Sequence, residues 1–193
     1  MMKTTYISID IETTGNIPGI NTMLSMGAAA FTLEEGMIST FERNFEALPG
    51  AIDDPDTMAF WAEWPEAYAI TRENVVNPEI AMKDFVEWLK GLENPVFVFY
   101  PTKFDGLFLY YFLYRFGGLK FINSPDTIDI KTYALNLLGE TSTTRAGKRD
   151  WPKRWKTKKR HKHVAISDAI EQGESFMKML AERQRMSLIP KIA

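Results

Sequence analysis

The sequence predicts an α/β fold, a mixed β-sheet flanked by helices, and three observations carry that reading. Residues 6–12 alternate strictly, with Ile7, Ile9 and Ile11 on one face and Ser8, Asp10 and Glu12 on the other, which is the period-two pattern of a strand. Residues 22–45 read as two strands around the turn Glu34-Glu35-Gly36. Residues 95–100, Pro-Val-Phe-Val-Phe-Tyr, are a continuous apolar run between two helical patterns, as expected of a strand covered on both faces. The length of 193 residues suits one domain over 1–193 with a full core.

In chain order, the first strand covers residues 5–12 and ends at Thr13-Thr14-Gly15, a turn signal. The second strand, 22–33, carries Gly27-Ala28-Ala29-Ala30, small residues suited to close layer packing. The third runs from Met37 to Phe45, and a Pro-, Gly- and Asp-rich loop follows from Leu48 to Asp56. Asp56 is the expected cap of a helix from Thr57, and Pro65 opens another to about Ile70. Asn77-Pro78 opens a helix over 78–90, with Ile80, Ala81, Phe85, Val86, Trp88 and Leu89 at helical spacing and Gly91 as its stop. After the buried strand, a helix is expected over 105–116 with Asp105 at its start. A short strand is expected over 119–124, then a helix over 127–138 capped by Asp126. Residues 139–162 read as a loop, and a last helix runs from about Val164 to Met186.

Composition narrows the function. At 45% hydrophobic and 13% aromatic, the chain is not a disordered one. With no cysteine it has no disulfide, no cysteine-ligated zinc and no thiol nucleophile, which suits a reducing cytoplasm. No signal peptide is expected, because the N-terminus enters a strand directly. The most apolar window, Val96 to Phe116, is interrupted by Lys103, Asp105 and Arg115, so no membrane span is expected. Net charge is −2, but Arg145 to Lys162 holds ten Lys/Arg and one acid, or +9, which leaves −11 for the rest. An acidic body with one dense basic segment points to a polyanionic partner met at one place.

Asp10 and Glu12 are two carboxylates on one face at the end of an apolar strand. Such crowding raises their pKa values unless a cation intervenes, and a divalent metal with oxygen ligands is one relief. Solvated acids on an edge strand are the alternative. Further acids stand at other element boundaries: Asp105 after the buried strand and Asp168 at the mouth of the last helix, in His163-x-Ala165-x-x-Asp168. Taken singly, Asp105 reads as a helix cap, Asp168 as an acid favoured by the helix dipole, and His163 as a solvated histidine. Their joint occurrence at the expected ends of a sheet, where α/β sites form, gives them a common meaning.

Asp10-x-Glu12-Thr13-Thr14-Gly15, Phe104-Asp105 after a buried strand, and His163-x-Ala165-x-x-Asp168 resemble the three motifs of the DEDDh 3′→5′ exonucleases, a group with the ribonuclease H-like fold. Asp54-x-Asp56-Thr57, Phe60-Trp61 and Pro65-Glu66-Ala67 are similar to a branch of small bacterial and phage exoribonucleases. The resemblance spans roughly residues 5–183 and departs from the group at Tyr100-Pro101-Thr102-Lys103, where an Asn often precedes the Asp.

The resemblance implies a two-metal phosphodiester hydrolase using two Mg²⁺ or Mn²⁺ ions about 3.5–4 Å apart. It makes Asp10 the ligand shared by both ions, Glu12 and Asp168 ligands of the first, and Asp105 a ligand of the second, directly or through water. Hard oxygen donors favour these ions over zinc. His163 would take the proton from the attacking water, a role that suits an imidazole of pKa ~6.5. The implied substrate is a nucleic acid with a single-stranded 3′ end, RNA favoured. A DNA proofreading or repair exonuclease, a related endonuclease and a catalytically silent binding module are the alternatives. Several members of the group are homodimers, which makes a homodimer the expectation by analogy.

Substrate contacts are expected from Thr13, Thr14 and Met23 or Leu24, where the group holds the last nucleotide. Phe60, Trp61 and Trp64 either stack the terminal base or pack into the core. The basic segment, with Lys156, Lys158, Lys159 and Arg160 and the interleaved Trp151 and Trp155, either guides the phosphate backbone or is a solvated loop. Asp126 and Asp129 read as structural acids.

Overall fold

The computed structural model describes residues 3–120, 124–158 and 162–188. Among them, five strands form one sheet: β1 (Thr5–Thr13), β2 (Met23–Thr32), β3 (Gly36–Asn44), β4 (Pro95–Phe99) and β5 (Asp126–Asp129), in the order β3-β2-β1-β4-β5. The pairs β1–β2 and β2–β3 are antiparallel, whereas β1–β4 and β4–β5 are parallel. The sheet is mixed, as the alternation of hairpin and helix–strand–helix patterns predicted.

Six α-helices among the described residues accompany it: α1 (Pro55–Glu63), α2 (Pro65–Thr71), α3 (Pro78–Lys90), α4 (Thr102–Phe116), α5 (Ile130–Leu138) and α6 (Ala165–Leu188). Ile7, Ile9 and Ile11 join Met26, Ala28, Ala30, Phe97 and Phe99 in one apolar layer, covered by Phe85 of α3 and Phe112 of α4. The opposite face, with Val98, is covered by Ile130 and Ala134 of α5 and by Phe176 and Met179 of α6. No helix among the described residues is long and apolar enough to cross a membrane.

Three boundaries differ from the sequence expectation, each for a capping reason. Asp54, not Asp56, caps α1, accepting from the Thr57 N–H at 2.9 Å, because Pro55 takes the first helical position. Helix α4 begins at Thr102, so Asp105 lies inside its first turn rather than capping it. Residues 126–129 form β5 alongside β4, and Asp129, not Asp126, caps α5. Asp129 does this twice over: Oδ1 accepts from Thr132 N–H at 2.8 Å and Oδ2 from Thr102 N–H at 2.9 Å, which also secures the start of α4. Of the strand expected over 119–124, residues 121–123 lie outside the described residues, and 119, 120 and 124 are not in a strand.

Helix α6 packs closely over β1 and β2. Gly27 is the reason at its start: a Cβ there would meet the Ile166 backbone nitrogen at 2.2 Å. Gly173 repeats the device two turns on, where a Cβ would meet the Phe31 ring at 2.3 Å and the Ser8 side chain at 2.9 Å. Gln172 adds a polar tether, its Nε2 donating to the Ile9 carbonyl at 2.6 Å. That carbonyl is available because β1 pairs with β4 only from Thr5 to Ser8.

Candidate active site

The end of β1 that β4 leaves uncovered is where the acids meet. Asp10 and Glu12 project on the α6 side, since they share a face with Ser8, which faces Gly173. Asp105 arrives from the first turn of α4, where the nearby backbone N–H groups of Ile11 and of Asp105 itself favour its charged form. Asp168 arrives from the first turn of α6, accepting from the Lys162 N–H at 3.1 Å. His163 precedes that helix with φ 54°, a left-handed conformation that side-chain-bearing residues seldom adopt. One ligand atom from each of Glu12, His163 and Asp168 lies within 4.8 Å of the others.

The electrostatics of the site follow from crowding under burial. Glu12, Asp105 and Asp168 are buried, and Asp10 keeps only part of its surface in solvent. Burial pushes the Asp10 carboxyl well above its usual range, and the charges of Glu12 and Asp168 push it further. Glu12 is raised to about 8, by burial first and then by Asp168 and Asp105. Asp105 is also raised well above its usual range by burial and by Asp10, against the pull of its backbone donors and of Lys148. Within the site, then, negative charge outweighs positive.

This arrangement fits divalent cations. Asp105 Oδ2 is buried and has no hydrogen-bond partner, a costly state for a carboxylate oxygen unless a ligand takes it up. The donor set is four carboxylates, hard oxygen chemistry that suits Mg²⁺ or Mn²⁺, with the His163 imidazole beside it.

The structure thus brings together all five residues of the three motifs. The predicted substrate contacts are less uniform. Thr13 and Thr14 are buried beside the end of β1, and their hydroxyls serve the local turn: Thr13 Oγ1 donates to the Gly15 carbonyl at 2.7 Å, and Thr14 Oγ1 accepts from Thr22 N–H at 3.0 Å. Met23 and Leu24 are buried. Trp61 is not a free stacking surface. It is 3% exposed, packs with Leu24 and Ala67, and its indole N–H donates to the Thr13 carbonyl at 2.8 Å. Phe60 and Trp64 remain at the surface, 36% and 41% exposed.

Trp151 and Trp155 likewise do not line a phosphate track. Both are buried in the layer beneath α6, Trp151 donating to the Ala146 carbonyl at 2.9 Å and Trp155 to Glu182 at 2.6 Å. They fasten the basic segment to the body. Much of that segment's charge is also engaged: Arg154 forks onto Glu182 at 2.6 and 2.7 Å, and Lys156 Nζ donates to the Arg149 carbonyl at 2.9 Å. Lys158 is exposed, while Lys159 and Arg160 lie outside the described residues.

Sequence reasoning missed Lys148, Glu171 and Tyr100. Lys148 Nζ donates to Glu171 at 3.2 Å and sits 5.2 Å from the centre of the Tyr100 ring, while its backbone N–H donates to the Tyr100 hydroxyl at 3.0 Å. Its charge reaches both Asp10 and Asp105 and draws their pKa values down. Glu171 lies three residues after Asp168 on α6, hence on the same helix face, a spacing readable in the sequence. Nothing local marks Lys148 among the ten basic residues of that segment.

Known proteins share this architecture. The nuclease domain of 3′hExo, a DEDDh family member solved with bound rAMP, superposes with a TM-score of 0.68 at 14% identity, over 92% of each chain. Pop2p from S. pombe, solved with Mg²⁺ and Mn²⁺, gives 0.64 at 16% identity over 95% of this chain and 85% of that one. ExoI from E. coli in a complex with single-stranded DNA gives 0.65 at 16% identity, over 94% of this chain and 41% of that one. In sequence, the chain is 27% identical over 126 residues to the 3′-5′ DNA exonuclease Cap18 of Escherichia coli, and spans 60% of that protein's length. The ribonuclease H-like fold expected from the motifs is the one these structures have. Residues 5–180 match the family described as the 3′-5′ exoribonuclease Rv2179c-like domain, and the chain belongs to that family.

Proposed function

We propose that this protein is a metal-dependent 3′→5′ exonuclease acting on single-stranded nucleic acid, RNA in preference to DNA. The observation that carries the reading is the convergence of Glu12, Asp168 and His163 within 4.8 Å, beside Asp10 and Asp105. Asp10, Glu12, Asp105 and Asp168 would hold two Mg²⁺ or Mn²⁺ ions. When bound, such ions neutralise phosphate charge and make water a nucleophile near neutral pH. His163 accepts the proton of the attacking water through an imidazole nitrogen, and its place beside two carboxylates keeps it at the reacting side. Exposed Lys158, with Arg160 two residues on in sequence, attracts the phosphate backbone.

The preference for RNA follows the family's description as exoribonucleases, while the similarity to a DNA exonuclease favours the second reading. By the same family analogy the chain assembles as a homodimer, which sedimentation velocity tests. Digestion of matched 5′-labelled RNA and DNA oligomers with Mg²⁺, Mn²⁺ or EDTA decides the substrate. A ladder shortening from the 3′ end, faster on RNA and absent in EDTA, is the expected result. Faster DNA cleavage would reverse the preference, and cutting of a circular single strand would replace the exonuclease reading with an endonuclease one.

A further inference from the structure

We propose that Phe60 and Trp64 are positioning residues for His163, holding its imidazole against the metal-binding carboxylates, rather than platforms for a nucleobase. The proposal rests on His163 acting as the base in the reading above. The Phe60 ring meets the imidazole edge-on, with centroids 4.8 Å apart and planes at 82°. The Trp64 ring lies 4.6 Å away at 60°. The two aromatic residues are four apart, one helical turn, at the end of α1, so both rings are presented from one face.

A loop residue needs such support. His163 sits in a left-handed backbone conformation just before α6. A base must stand within hydrogen-bond reach of its water, and small misplacements are expensive. The aromatic pair supplies a fixed reference. Trp61, between them in sequence, ties α1 to the Thr13 carbonyl at 2.8 Å, at the end of the strand that carries Asp10 and Glu12. The Trp64 N–H closes the helix on the Trp61 carbonyl at 3.0 Å, and Pro65 starts α2 directly after it. The carboxylates and the imidazole are therefore registered to each other through β1, Trp61 and the α1 terminus.

The test compares Phe60→Ala, Trp64→Ala and Trp64→Phe with the wild-type protein. Both side chains are substantially exposed, so the variants should fold, and circular dichroism checks it. Each alanine variant should lose kcat by on the order of 10–100-fold, with KM within about twofold, and Trp64→Phe should recover most of the loss. The second measurement needs neither metal nor substrate. The chain has two histidines, so ¹³C-edited NMR shows two imidazoles, and His161→Gln assigns them. Ring currents should displace the His163 resonances in wild type, and Trp64→Ala should return them toward those of free histidine. Retained kcat with KM raised about tenfold, or an unmoved His163 resonance in a hydrolysing enzyme, overturns the proposal alone. A wild-type protein that hydrolyses nothing overturns the nuclease reading and the role of the base with it.

Discussion

Gly27 on β2 pairs directly with Asp10 on β1, and it is over Gly27 that the backbone of Ile166 at the start of α6 comes to rest. The residue opposite the central acid is thus the one that lets the helix carrying Asp168 descend onto it. A methyl group at Gly27 would meet backbone atoms at 2.2–2.4 Å, which no side-chain rotation relieves. Gly27→Ala should therefore lift the α6 start and move Asp168 and His163 away from Glu12. A stability loss of about 1–3 kcal/mol is expected from overpacking, together with at least a roughly tenfold fall in kcat. Thermal unfolding and turnover on one preparation check both, and full activity would show that the helix start yields without consequence.

His163→Ala should nearly abolish hydrolysis and leave binding intact, because the proposed metal donors are the four carboxylates. Calorimetric Mn²⁺ titration and fluorescence anisotropy with a short labelled oligomer should give wild-type affinities within about threefold, while kcat falls about 10²–10⁴-fold. Asp168→Asn, in contrast, should lose metal binding and activity together.

Stability of the metal-free protein should fall as pH rises. Glu12 is held at about 8 instead of 4.5 in the folded state, and Asp10 and Asp105 are raised in the same direction. Between the ordinary and raised values, the folded protein binds more protons than the unfolded chain, so each step up in pH favours unfolding. The destabilisation is complete above about 8 for Glu12 and vanishes below its ordinary value. In EDTA, Tm should drop between about pH 4.5 and about pH 8. Saturating Mn²⁺ should flatten that slope and raise Tm, since a cation bound by the native state alone stabilises it. A Tm in EDTA that ignores pH would contradict the crowding of these acids.

Lys148→Met should separate metal binding from substrate binding. The ammonium group pulls on Asp10 and Asp105 and is held by Glu171 at 3.2 Å. Removing it takes a repelling charge from beside the cation donors, so Mn²⁺ affinity should rise about two- to tenfold. If the same ammonium faces a substrate phosphate, KM for an oligomer rises and its salt slope loses about 0.7. Unchanged metal affinity would show that Lys148 is screened from the carboxylates.

What the sequence by itself determined was set by local chemistry. Period-two alternation put Asp10 and Glu12 on one face of a strand. Proline and asparagine at the start of α3, and glycine after it, bounded that helix, and the three short motifs named Glu12, His163 and Asp168, which meet within 4.8 Å, along with Asp10 and Asp105, whose charges interact with the site acids. Where capping was ambiguous, local reading slipped by a few residues, choosing Asp56 over Asp54 and Asp126 over Asp129. Both times the acid that caps is the one whose oxygen reaches the N–H three residues on.

Tertiary structure decided which polar and aromatic residues are free. Phe60, Trp61 and Trp64 are indistinguishable by type, but only Trp61 turns inward to bind the Thr13 carbonyl. Trp151 and Trp155 looked like part of a basic surface and are its buried anchors. Lys148 became a neighbour of Asp10 only when the segment before α6 folded back over Tyr100. The meeting of Asp10 and Asp168, 158 positions apart, depends on how closely α6 packs over Gly27 and Gly173. Glycine spacing hinted at close layers, but an approach distance is a property of two surfaces in contact, and no local pattern encodes it.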